Sequence, residues 1–160
     1  MKMEHIHTIK FIPIDKVLDK KDLRDLIYFN DEVFLNIIEV LQKSPIVFRR
    51  NVELAATYLK RGGYSDFTHY SAENFGNEDN DRNTIGYLFT DHNDVIGACL
   101  FRLRENKDWV MHWVWIHPYF RSKGILSKHV DFFNKRFGCW YVELPHSKAM
   151  EKFLEKNNLK

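Results

Sequence analysis

The chain has 160 residues, 44% of them hydrophobic and 15% aromatic, and carries a net charge of +2. That size and apolar content suit one domain, residues 1–160, with a proper core, and exclude a disordered chain. The basic residues are few in excess and dispersed, so nucleic acid is not an expected partner; no run reaches membrane-spanning length and the N-terminus has no apolar signal core, so the expected setting is the cytoplasm, with no membrane.

Residues 1–14 read as a first strand, with His5 and His7 on one face of it. Two solvated histidines explain that pair better than a metal site, and no metal ligand set is expected elsewhere. Over 19–43, Leu23, Leu26, Ile27, Phe34, Ile37, Ile38 and Leu41 recur at three and four, which predicts helix, broken near Asn30-Asp31. Pro45 ends that region. A further helix then carries Val52, Ala55, Ala56 and Leu59 on one face, with Asn51 as its cap and Gly62-Gly63 as its stop. Residues 64–83 read as a long polar loop whose later part is acidic, through Glu73, Glu78, Asp79 and Asp81.

Two short strands follow, Thr84–Thr90 and Val95–Leu103, on either side of a turn-rich Asp91-His92-Asn93-Asp94. The third, 109–116, is almost wholly apolar, aromatic and β-branched, as a strand buried on both faces should be. Pro118 stops it, because proline has no N–H for the ladder. Leu126, Val130, Phe133 and Phe137 then fall on one helical face, ended by Gly138. Cys139–Leu144 reads as a strand, and Ser147 as the cap of a last helix bearing Met150, Phe153 and Leu154. Hairpins feeding a strand–helix–strand crossover predict an α+β fold with a mixed, mostly antiparallel sheet and helices on both faces. Cys99 and Cys139 are read as two small buried hydrophobes.

The centre of this pattern is a buried strand running through a short basic loop, Arg121-Ser122-Lys123-Gly124-Ile125-Leu126-Ser127, into a helix. Amides at such a helix start, helped by Arg121 and Lys123, form a ready anion site. The segment Val114-Trp115-Ile116-His117-Pro118, then Arg121-Ser122-Lys123-Gly124-Ile125-Leu126, resembles motif A of the GNAT superfamily, the acetyl-CoA-dependent N-acyltransferases. Leu126 stands where that family prefers Gly or Ala. The tail resembles the family more loosely: Ala149 and Phe153 match, while Leu154 replaces the tyrosine that often serves as general acid. The resemblance spans about residues 84–159.

What the resemblance implies is specific. The cosubstrate is acetyl-CoA, its pyrophosphate over residues 121–127 and its pantetheine beside Val114, Trp115 and Ile116. The amide of Trp115 or a neighbour polarises the thioester. His112, whose ordinary pKa suits base catalysis near neutrality, is the candidate base, with Glu143 and His146 as rivals. The acceptor is an amine on a small molecule or a protein, and the acidic stretch 64–83 would collect it if it is cationic. The protein is expected to be a monomer or homodimer. Two other readings remain open at this level: a GNAT-like module that binds coenzyme A or another anion without turnover, and an RNA- or partner-binding protein.

Overall fold

The computed structural model describes residues 37–61, 72–73, 84–91, 94–144 and 146–159. Among these residues five strands form one sheet in the order β1 (Ile37–Val40), β2 (Thr84–Asp91), β3 (Asp94–Leu103), β4 (Trp109–Ile116) and β5 (Trp140–Val142). The first four pair antiparallel, and β5 joins β4 in parallel. The predicted strand boundaries from residue 84 onward hold to within two residues at each end. A parallel pair needs a crossover, and the chain between Ile116 and Trp140 supplies it.

Helix α1 (Ile46–Arg61) lies on one face of the sheet, where Val52, Ala55, Ala56 and Leu59 pack against Leu88, Ala98, Leu100, Trp113 and Trp115. Helix α2 (Val130–Phe137) lies on the other, where Phe133 meets Tyr87, Phe101, Met111 and Trp140. Burial of one stripe of each helix against one face of the sheet is what holds the three layers together. The second face is built of rings: Tyr87 is enclosed by Phe101, Phe132, Phe133 and Phe137. Its hydroxyl still reaches solvent-side polar groups, donating to Glu39 Oε1 at 2.7 Å, and Arg136 Nε donates to the same oxygen at 2.9 Å. Helix α3 (Lys148–Lys156) adds Phe153 to this face and is capped as expected, Ser147 Oγ accepting from Met150 N.

Three expectations fail here. Residues 37–40 are a strand, not the end of a helix. Ile37 packs into the α2-side core and Val40 into the α1-side core, the opposite faces that a strand gives to positions three apart, while Leu41, which the helical stripe would bury, is exposed. A short apolar run fits both periods, and pairing with β2 decides it. Asn51 is no cap: it lies fully buried inside α1, which starts just after Pro45, where proline's missing N–H costs nothing. Cys99 is buried, but Cys139 is exposed. The first strand, His5 and His7, and most of 19–43 and 64–83 lie outside the described residues.

Candidate functional site

Strands β4 and β5 part company midway. Their ladder holds only Trp109–Trp140, Val110–Tyr141 and Met111–Val142, and its last bond runs from Glu143 N to Met111 O at 3.0 Å. Pro145 has no N–H with which to extend it. From His112 to Ile116, β4 pairs only with β3 among the described residues, which leaves a wedge along its other edge.

A β-bulge sits at the apex. Leu100 faces Trp113 and Phe101 faces Met111, so His112 is the extra residue on β4. Bulges raise local twist and re-aim side chains. This one resets the alternation: Met111 points to the α2-side core and Trp113 to the α1-side core. The register also fixes which amides face the wedge. His117 N donates to Ile96 O at 2.8 Å, which makes Ile96–His117 and then Ala98–Trp115 the hydrogen-bonded pairs of the ladder. The N–H of Trp115 is therefore committed to β3. Those of Val114 and Ile116 point to the wedge. Gly97 sits opposite Ile116 because β4 comes too close for any side chain: a Cβ there would lie 2.6 Å from Trp115 O.

His112 meets Glu143 across the apex, Nδ1 against Oε2. The other carboxylate oxygen, Oε1, accepts from Arg102 Nη2 and from Arg104 Nη2, each at 2.7 Å. Burial pushes the imidazole below its ordinary range; the hydrogen bond and charge of Glu143 pull it back up, and the two arginines push it down again. Burial alone would raise the Glu143 carboxyl, but its bonds to His112 and Arg102 outweigh this and hold it below the usual carboxylate range. So at neutral pH the cluster is a carboxylate beside a neutral imidazole. A carboxylate only accepts, so the imidazole proton is on Nδ1 and the basic lone pair on Nε2. His146 takes a different place: its Nε2 donates to Val142 O at 2.9 Å. The sequence reading missed Arg102 and Arg104. Their spacing of two, which puts both on one face at the end of β3, was the available signal.

At the far end of the wedge the chain turns through His117-Pro118, the ring Nδ1 of His117 accepting from Tyr119 N at 3.1 Å. The loop that follows uses left-handed backbone at Ser122 (φ 62°) and Gly124 (φ 74°) before Lys128 N closes a turn on Gly124 O at 3.0 Å. Only Gly124 takes that conformation without cost. Arg121 folds back over the Trp115 ring and donates to Ile116 O at 2.7 Å; Lys123 lies 4.1 Å from the Tyr119 ring centre. Ile125 and Leu126 pack against the α2-side core, so the bulk of Leu126 is turned inward. Ser127 Oγ accepts from Asn157 Nδ2 at 3.1 Å, which ties the loop to the end of α3. The regular helix starts later than expected, at Val130, after a 3₁₀ turn over Ser127–His129. Leu154 is buried on α3. Of the acidic stretch, only Ala72 and Glu73 are described; Ala72 is held to α1 by Glu53 and by Arg49, and Glu73 is exposed. Among the described residues no cluster of His, Cys, Asp or Glu could hold a metal ion, and no helix is long and apolar enough to cross a membrane.

No protein-family model matches the chain, and no curated protein matches its sequence. Solved structures do resemble it. A ribosomal-protein-alanine N-acetyltransferase from Brucella melitensis biovar Abortus 2308 superposes with a TM-score of 0.53 at 18% identity, over 76% of this chain and 88% of that one. A possible acetyltransferase from Clostridium difficile 630 gives 0.55 at 8% identity, over 78% and 91%. With the mostly antiparallel sheet, a helix on either face and the parting of β4 from β5, these likenesses show that the chain has the GNAT fold.

Proposed function

We propose that the protein transfers an acetyl group from acetyl-CoA directly to an amine. The observation that carries this reading is the wedge between β4 and β5, with two amides aimed into it and a Glu143-bound His112 at its apex. Pantetheine would pair with the open edge of β4, and the pyrophosphate would lie over residues 121–127, where Lys123 and the loop amides supply positive potential. Arg121 would have to leave Ile116 O to reach it.

His112 Nε2 is enclosed here and would have to be uncovered to act as the base. The nitrogen of the neutral amine attacks the thioester carbonyl carbon, forming the C–N bond, and the proton it gives up on becoming an amide passes to that Nε2. The negative charge that develops on the carbonyl oxygen falls to the N–H of Val114 or Ile116, since that of Trp115 is engaged with β3. A preorganised donor of this kind is worth about 3 kcal/mol of barrier. Collapse breaks the C–S bond, and the thiolate leaves and is protonated by water. Leu154, buried where a tyrosine acid often stands in the family, gives that step no proton donor and favours a second reading, a coenzyme A-binding module without turnover.

One experiment separates the two. Thiol release from acetyl-CoA is followed with a polyamine, an aminoglycoside and peptides bearing a free N-terminal alanine, alongside titration calorimetry with acetyl-CoA. Amine-dependent thiol release supports transfer. Binding without release on every amine supports the module, and absence of both overturns the reading.

A further inference from the structure

His112 is one member of a four-residue cluster, and two of its members have no part in the reaction as written. Arg102 and Arg104 reach from the end of β3 across β4 to the end of β5 and place both guanidinium groups on one oxygen, Oε1 of Glu143. A carboxylate bound only to the histidine could present either oxygen and could swing away from the strand. With Oε1 held twice, only Oε2 is left for the imidazole. We infer that Arg102 and Arg104 are positioning residues for the base: by holding Oε1 of Glu143 they fix the His112 tautomer with Nδ1 protonated, and by their charge they offset the carboxylate so that the imidazole stays neutral. This rests on the reading of His112 as the base.

The charge balance explains why two arginines are present. A buried histidine bonded to an unopposed carboxylate is drawn toward imidazolium, which has no lone pair to accept a proton. One guanidinium would cancel the carboxylate, and the second tips the local balance to the positive side, which favours the neutral ring. The charged groups acting on His112 include Glu143 from just after β5 and Arg102 and Arg104 from the end of β3. On this side of the sheet α1 packs the apolar Val52, Ala55, Ala56 and Leu59 against Leu88, Ala98, Leu100, Trp113 and Trp115. Arg102 is the more enclosed of the two, and Arg104 keeps 46% of its side chain exposed.

The test reads the ring itself. Protein labelled with ¹⁵N-histidine is titrated by long-range ¹H–¹⁵N correlation, with the His112→Gln variant identifying the resonances among the eight histidines. The wild type should show Nδ1-protonated imidazole at neutral pH. In the Arg102→Gln/Arg104→Gln double variant, removal of positive charge should raise the midpoint of His112 by about one unit, a tenfold gain in proton affinity. The acid limb of the kcat/KM profile should move up by the same amount. The Arg102→Lys/Arg104→Lys pair, which keeps the charge, should restore the midpoint. If the double variant does not fold, Arg104→Gln alone, at the more exposed site, should give a smaller rise in the same direction. An unchanged midpoint and tautomer in a folded variant would make the clamp a plain tie between β3 and β5 and overturn the inference. The ring titration needs no turnover, so a protein that acetylates nothing would defeat the proposed function while the histidine spectra still decide this point.

Discussion

Gly97 makes the sharpest test of how β3 and β4 are packed beside the wedge. Replacing it with alanine puts a methyl group 2.6 Å from Trp115 O, 2.9 Å from Ile116 Cδ1 and 3.0 Å from Ile116 Cα. Carbon contacts settle at about 3.5–4.0 Å, so the overlap is roughly 1 Å. Only the Ile116 methyl can rotate away, because the other two atoms belong to the β4 backbone, which the ladder holds. Overpacking of this size costs about 2 kcal/mol, and the reduced freedom of the unfolded chain returns about 0.5 kcal/mol. The net loss is about 1.5 kcal/mol, or a drop of roughly 3–6 °C in Tm for a chain of this length. Gly124→Ala is the matched control. It meets nothing within 4 Å and carries only the strain of its positive φ, 74°, about 1 kcal/mol before the same entropic return. Urea unfolding followed by tryptophan fluorescence measures both. Gly97→Ala should lose clearly more stability than Gly124→Ala and should also weaken acetyl-CoA binding, since the displaced atoms border the wedge. Equal or smaller loss at Gly97 would refute the close approach of the two strands.

Gly124→Glu should abolish acetyl-CoA binding, read by calorimetry, while the circular dichroism spectrum is unchanged; retained micromolar affinity would remove the phosphate from residues 121–127. Glu143→Gln should cost on the order of 2 kcal/mol at neutral pH, because its carboxylate accepts charged hydrogen bonds. Its folded-state pKa is lowered, so the stability it adds is present above the ordinary carboxylate value of about 4.3 and is lost as pH falls through the lower folded value; urea midpoints against pH should flatten in that window in the variant. His129 is buried, its ring donating to Ile125 O, and burial holds it below the ordinary imidazole range. The unfolded chain therefore takes up that proton first, stability should fall as pH drops below about 6.5, and His129→Gln should remove part of the decline. Tyr87→Phe strips a buried hydroxyl from Glu39 and should cost about 1 kcal/mol in the same urea assay, with thiol release unaffected.

Much of the architecture was legible because it is written locally. The near-continuous apolar run of β4, the stop at Pro118, the face of Val130, Phe133 and Phe137, the ending at Gly138 and the cap at Ser147 are each set by a residue's own stereochemistry and its near neighbours. The loop 121–127 was legible for the same reason. Where long-range pairing decides, the sequence was silent or misleading. Ile37–Val40 is a strand because β2 offers it an edge, and Asn51 is interior because Pro45 had already begun the helix. The bulge at His112 exists only as a mismatch between two strands, so neither strand's sequence contains it, yet it helps set which amides face the wedge, those of Val114 and Ile116 on either side of Trp115. Glu143 and His146 looked like equal rivals in sequence. Tertiary structure brought Glu143 to His112 and gave His146 to a backbone carbonyl, and it brought Arg102 and Arg104, about forty residues away along the chain, onto the same carboxylate. Charges that meet through folding leave no periodic trace in the sequence, because their spacing is fixed by the crossing of strands and not by the turn of any one of them.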